Sequence, residues 1–196
     1  MAAAGKDATK FEGEGFEFWV QSTDTTGMNI VLIGYRGSGK TSIGKKLASN
    51  LWMDFVDTDV LIVERAGKTI REAFAAEGEE GFRRRESEVI AEVAGRDNQV
   101  IAAGGGAILK AENVAALKKN GKVVWLKAKA EVLLQRIEKD AGTAANRPNL
   151  TAAGGLEEVR QILEKRTPLY QAAADASLEV TYLTVEDAAR RLAELV

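Results

Sequence analysis

The sequence predicts an α/β domain built on a parallel sheet with helices on both faces, and three observations carry that reading. From Met28 onward, short apolar runs alternate with amphipathic stretches of helical period. The runs are apolar throughout rather than at every second position, as strands covered on both faces require. A glycine-rich turn joins the first run directly to a helical segment, the junction that opens a strand-turn-helix unit of an α/β fold.

The elements follow in order. Residues 1–27 read as an N-terminal extension ahead of a domain spanning 28–196. The extension has no long apolar stretch of the secretory kind, and its acidic residues argue against an organelle transit peptide. Within it, Phe16 to Val20 reads either as a strand docking on the domain edge or as part of a disordered tail. Asn29 to Ile33 is the first strand of the domain, and Thr41 to Asn50 is the helix after it. Phe55-Val56 is a short strand ending in Asp57-Thr58-Asp59. The capping box Thr69-x-x-Glu72 opens a helix over Ile70 to Ala76, and a separate helix covers Gly81 to Ala94. Val100 to Ala103 is a strand, Ala111 to Lys119 a helix, Val123 to Lys127 a strand and Glu131 to Ile137 a helix. Leu156 to Tyr170 is helical, Leu178 to Thr181 is a weak strand, and Val185 to Leu195 closes the chain as a helix.

Composition excludes several chemistries. The 196 residues include no histidine and no cysteine, which removes Ser-His-Asp and Cys-His nucleophiles, disulfides, and zinc sites of thiolate and imidazole. Any acid, base or metal ligand is therefore an oxygen or an amine. The net charge of −2 lacks the basic excess of a nucleic-acid binder. No apolar run reaches the roughly 18 residues that would span a bilayer, so a soluble, cytoplasmic protein is expected. Glycine is abundant, at 19 residues, and proline scarce, at 2, which points to sites that use backbone freedom.

The first such site is Gly34-Tyr35-Arg36-Gly37-Ser38-Gly39-Lys40-Thr41, which matches G-x-x-x-x-G-K-[ST] in full. Strand before and helix after let successive N–H groups form a concave nest at a helix N-terminus, where phosphate charge is favoured. Gly37, Ser38, Gly39, Lys40, Thr41 and Ser42 thus form the expected phosphate-binding set of a nucleoside triphosphate site. Lys40 is expected to reach the β- and γ-phosphates and the Thr41 hydroxyl to ligate Mg²⁺.

Other residues indicate the acceptor. Asp57 and Asp59 lie at a strand end, on the side where parallel α/β sheets bind ligands. One can serve the metal, and the other can orient or deprotonate an acceptor hydroxyl. No acidic residue ends the Val100 to Ala103 strand, which shifts the metal duty to Asp57. Gly104-Gly105-Gly106 follows that strand, and suits close backbone approach to a ligand. In Phe82-Arg83-Arg84-Arg85-Glu86, Arg84 points away from the apolar face. Arg83 and Arg85 flank that face equally, so periodicity does not choose between them. Arg166 falls within the apolar sector of its helix and so needs an anionic partner. A small-residue stretch, about 138–155, carries Arg147 and suits a lid that brings a cation to the transferring phosphoryl group. Two carboxylates and several arginines in one cleft describe an acceptor that is hydroxylated and anionic.

The motif set resembles the shikimate kinase family. The likeness rests on the Gly34 to Thr41 loop, Asp57-Thr58-Asp59, Phe82-Arg83-Arg84, Gly104-Gly105-Gly106, Arg147-Pro148 and Arg166-Thr-Pro-Leu-Tyr170, in family order from Met28 to the end of the chain. It implies a three-layer α/β/α fold with a five-stranded parallel sheet of the nucleoside-monophosphate-kinase type. It also implies transfer of the γ-phosphoryl of ATP to the 3-hydroxyl of shikimate, on the route to aromatic amino acids, by a monomer using Mg²⁺. Carried over, Arg83 and Arg166 bind the shikimate carboxylate and Glu86 supports Arg83, which settles Arg83 over Arg85. Asp59 binds ring hydroxyls and acts as base with Lys40 and Arg147 as catalytic cations. Gly104, Gly105 and Gly106 contact the acceptor through backbone, Arg136 stacks on adenine, and Thr41 with Asp57 serves the metal. Rival readings are a gluconate-kinase-like enzyme, whose acceptor is also a hydroxylated carboxylate, and a non-catalytic member of the shikimate kinase fold.

Overall fold

The structure, a computed structural model, describes residues 8–13, 16–21, 27–140 and 154–196. Two N-terminal strands, β1 (Ala8–Gly13) and β2 (Phe16–Gln21), pair antiparallel with each other, Ala8 opposite Gln21 and Gly13 opposite Phe16. They form a sheet of their own. Phe16 to Val20 therefore lies in a strand whose partner is Ala8–Gly13 rather than an edge of the main sheet.

The main sheet has five parallel strands in the order β4-β5-β3-β6-β7, comprising β3 (Asn29–Ile33), β4 (Asp54–Asp57), β5 (Gln99–Ala102), β6 (Gly121–Lys127) and β7 (Ala176–Glu179). The central strand β3 is buried at every position, as its unbroken apolar run predicts. Its side chains divide by alternation. Ile30 and Leu32 pack with Val100, Val124 and Leu126 against Ile43 and Leu47 of α1 (Lys40–Leu51) and Ala188 and Leu192 of the C-terminal helix, Val185–Leu195. Val31 and Ile33 pack on the other face with Ile101 and Val123. There they meet Val89, Ile90 and Val93 of the long helix Ile70–Ala94, Leu117 of Ala111–Lys119, and Tyr170 of Gly155–Ala173. The fold is thus three layers, helix on sheet on helix. Among the described residues no helix is long and apolar enough to cross a membrane.

In chain order the remaining helices are α2 (Thr58–Ala66), α3 (Ile70–Ala94), α4 (Ala111–Lys119), α5 (Ala130–Lys139), α6 (Gly155–Ala173) and α7 (Val185–Leu195). Beyond shifts of a few residues at other element ends, three differences from the sequence reading stand out. Helix α2 is new, with Asp57 as its N-cap and Gly67 at φ 61° as its left-handed C-cap. The Ile70 and Gly81 helices form one element broken only at Gly78, whose φ of 69° and ψ of −179° are not helical. Strand β7 begins two residues before the expected Leu178, because at this edge only Leu178 itself is buried.

Candidate active site

The phosphate loop joins β3 to α1, and its geometry is that of an anion nest. Gly34, Gly37 and Gly39 all adopt positive φ. Helix α1 starts with no side-chain cap and no acidic residue in its first turn, so its leading N–H groups are left for a ligand. Lys40 Nζ donates to the carbonyls of Gly34 and Tyr35, at 2.8 and 3.1 Å, and so rests on its own loop. Ser38 is fully buried. A cleft of about 380 Å³ opens on this loop, lined among others by Gly37, Lys40, Thr41, Ser42, Asp57 and Arg136.

Asp57 and Asp59 do not both end the strand, as the sequence reading had it. Strand β4 stops at Asp57, whose Oδ1 accepts from the N–H groups of Asp59 (3.0 Å) and Val60 (3.4 Å), while Thr58 and Asp59 begin α2. The capping role and the site role coexist in Asp57, because its other oxygen, Oδ2, accepts from the Thr41 hydroxyl at 2.7 Å. Thr41 and Asp57 therefore bring together two hard oxygen donors beside the phosphate nest. That set fits a Mg²⁺ ion that completes its shell with phosphate oxygens and water. Between Asp57 and Asp59 in sequence, Thr58 is fully buried. Its hydroxyl accepts from the Gly104 N–H at 2.9 Å and so binds the start of α2 to the glycine turn after β5. Thr58 is a positioning residue the sequence reading missed, since a hydroxyl between two carboxylates carries no periodic signal.

A second, smaller cavity of about 80 Å³ lies beside the first. Ile70, Phe74 and Phe82 form its apolar wall, and Asp59, Arg83, Glu86, Gly105, Gly106 and Arg166 its polar wall. The structure brings Arg83 here, with Nη1 donating to Glu86 Oε2 at 2.7 Å. Its guanidinium sits 5.5 Å from the Phe82 ring centroid, and Phe82 in turn stacks on Phe74. Arg85 turns away and binds Glu77 through two hydrogen bonds of 2.7 and 2.8 Å, and Arg84 is exposed. Glu86 is 1% exposed. Burial pushes its carboxyl above the ordinary glutamate range, against the opposing pull of Arg83, and the nearby Asp59 adds to the rise.

Gly105 and Gly106 line this cavity, and Gly104 packs behind its Asp59 and Glu86. A β-carbon on Gly104 would lie 2.5 Å from Asp59 Oδ1, and one on Gly106 would lie 2.2 Å from Arg83 Nη1, so both functional side chains occupy space only glycine leaves. The Gly105 carbonyl accepts from Arg166 Nη1 and from the Tyr170 hydroxyl, each at 2.9 Å. Burial pushes the Tyr170 hydroxyl up to about 12, with Arg166 pulling it down, which keeps the proton in place as a donor.

Arg136 lines the nucleotide-side cleft with Val180 and Leu183, and its Nη2 donates to the carbonyls of Val180 and Thr181. Arg147 and most of the expected lid lie outside the described residues. Sequence reasoning also missed Arg36, which lines both cavities and is ion-paired to the buried Glu158. A basic residue at a free position of the phosphate loop was the available signal for Arg36, whereas Glu158 offered none.

Among the described residues, only Arg36 and Asp59 line both cavities. A glycine-rich nest at a helix N-terminus and an arginine-lined pocket that share one aspartate on their common wall suit phosphoryl transfer to a small hydroxylated acid. The family model for shikimate kinase matches residues 36–196. This chain belongs to the shikimate kinase family. Among its curated relatives, the shikimate kinase of Symbiobacterium thermophilum is 46% identical over 167 residues, covering 85% of this chain and 95% of its own. The shikimate kinase of Acinetobacter baumannii, solved in complex with shikimate, has a TM-score of 0.81 at 39% identity and covers 87% of this chain and 93% of its own. A gluconokinase from Sinorhizobium meliloti covers 87% of this chain and 95% of its own with a TM-score of 0.54, and at 18% identity it shares the fold alone.

Proposed function

We propose that the chain transfers the γ-phosphoryl group of ATP to the 3-hydroxyl of shikimate, giving shikimate 3-phosphate and ADP. The observation that carries this reading is the position of Asp59 on the wall common to the phosphate-loop cleft and the arginine-lined pocket. There its carboxylate can accept the proton of a hydroxyl aimed at the γ-phosphorus.

The remaining residues take their roles from place and charge. The loop N–H groups from Gly37 to Ser42 and the Lys40 ammonium hold the phosphates, Lys40 leaving the loop carbonyls to do so. Thr41 and Asp57 would hold Mg²⁺, which neutralises charge developing on the phosphate oxygens. Arg136, which lines the cleft beside Val180 and Leu183, would stack on the adenine. Arg83, oriented by Glu86, and Arg166, oriented by the Gly105 carbonyl, bind the acceptor carboxylate. Arg147, by its place in the family pattern, closes on the transferring group.

The pocket also distinguishes a ring from an open chain. Ile70, Phe74 and Phe82 offer an apolar wall that matches the carbon face of a cyclohexene ring. Gluconate, hydroxylated at every carbon beyond its carboxylate, would press hydroxyls on that wall without partners. Coupled ADP release with each acid as acceptor tests the reading. Turnover with shikimate and not gluconate is expected, and the opposite pattern would refute it.

A further inference from the structure

The loop pattern leaves position 36 unconstrained, yet Arg36 is held there by an ion pair to a buried carboxylate. Its guanidinium is 14% exposed and is ion-paired through Nη2 to Oε1 of Glu158, which is 1% exposed and stands in the first turn of α6. Eight residues further along the same helix, about 12 Å at helical rise, Arg166 Nη1 donates to the Gly105 carbonyl. Gly105 packs back on the phosphate loop. A β-carbon there would lie 3.6 Å from the Gly34 carbonyl oxygen, 3.7 Å from the Arg36 nitrogen and 3.9 Å from Arg166 Nη1. The contacts close a ring that runs from the phosphate loop through Glu158, α6, Arg166 and Gly105 to the loop again.

We propose that Arg36 is a positioning residue for the transfer, its pair with Glu158 fixing the phosphate loop and the acceptor pocket in register. This rests on the shikimate kinase reading above. A buried ion pair adds little net stability, because desolvation offsets attraction. What it fixes is geometry. During transfer the bond from the γ-phosphorus to its bridging oxygen breaks and leaves its electron pair on ADP, and the bond to the acceptor oxygen forms. The hydroxyl proton passes to Asp59, and Arg36 enters none of these exchanges. Its role is to hold the loop that carries the phosphates at the correct distance from the helix that carries Arg166.

The test uses the full chain and three variants, Arg36→Met, Arg36→Lys and Glu158→Gln. It measures kcat and both KM values by ADP release, the affinities for shikimate and ADP singly by calorimetry, and Tm. A misplacement of about 1 Å across reacting groups lowers turnover about 100-fold, so kcat is expected to fall by that order in Arg36→Met and Glu158→Gln. The two affinities measured singly should stay unchanged, and Arg36→Lys, which keeps a charged contact to Glu158, should recover most of the lost kcat. If kcat, both affinities and Tm fall in parallel, the pair is merely structural and the proposal is overturned. An unchanged kcat overturns it as well. Should Arg36→Met not fold, Glu158→Gln carries the same comparison, since it keeps volume and an acceptor oxygen. The unaltered chain separates the two claims. No turnover of shikimate by it removes the function and this inference together, whereas normal turnover with unaffected variants removes the inference alone.

Discussion

Replacing Gly106 with alanine should damage acceptor binding while leaving the fold intact. The backbone at Gly106 has φ −100° and ψ −5°, which alanine adopts without strain, so the effect comes from the added methyl group. That methyl would stand 2.2 Å from Arg83 Nη1 and 2.7 Å from Cζ and Nη2, where ordinary contact begins at 3.4 Å. The guanidinium must retreat by about 1 Å, a shift that can lower turnover about 100-fold, equivalent to roughly 2.7 kcal/mol. It cannot retreat freely, because Nη1 is held 2.7 Å from Glu86 Oε2 and the plane lies against Phe82 and Phe74. Shikimate-dependent ADP release reports the loss as a fall in kcat/KM for shikimate with an unchanged KM for ATP. Gly105→Ala is the matched control, since a β-carbon there meets nothing closer than 3.6 Å and should cost far less. Equal effects of the two substitutions, or a Gly106→Ala enzyme with normal kcat/KM, would show that the turn does not set the position of Arg83.

Three further substitutions test the same site. Asp59→Asn should lower kcat by about 10² to 10⁴-fold while ATP still binds, as measured by turnover and nucleotide calorimetry, and near-normal turnover would remove Asp59 as base. Thr58→Val leaves the buried Gly104 N–H without its 2.9 Å acceptor and should destabilise the chain by about 1 to 3 kcal/mol in urea unfolding, whereas Thr58→Ser should not. Glu86→Gln tests the raised carboxyl. A group whose folded value is raised contributes stability that is present below its unfolded value and lost as pH rises through the folded one. The melting temperature of Glu86→Gln, relative to the unaltered chain, should therefore improve as pH rises from about 4, near the unfolded glutamate value. A relative decline over that range would mean that Arg83 outweighs burial.

How much of this was legible in the sequence depended on how local each signal is. The phosphate loop was read in full because its strand, glycines, Lys40 and helix are contiguous. Helix α2 was not, because Val60-Leu61-Ile62-Val63 is a short, largely β-branched run that periodicity alone cannot divide between strand and helix. Periodicity does not choose between Arg83 and Arg85, for a different reason. Residues eight apart on an unbroken helix stand about 12 Å apart along its axis, so Glu77 would not reach Arg85. The non-helical Gly78 brings Glu77 back over Gly81 to bind Arg85, which leaves Arg83 as the arginine on the pocket wall. The Arg36–Glu158 pair, 122 residues apart, has no local signature of any kind.

Backbone carbonyls accept from Lys40 and from Arg166, and buried carboxylates pair with two further arginines of the site. Arg83 and Arg36, 13% and 14% exposed, are each paired with a glutamate that is 1% exposed. Such pairs are no more stabilising than apolar packing of equal volume, so their value lies in fixing the arginines before the acceptor arrives. Ordering that occurs during folding is not subtracted again from binding. Lys40 donates to two backbone carbonyls of its own loop, neutral acceptors that give weaker hydrogen bonds than a carboxylate does. That hold suits a residue that must leave its resting place for each incoming triphosphate. The first turn of α1 carries no acidic side chain, which leaves its N–H groups and the positive end of the helix to the phosphates.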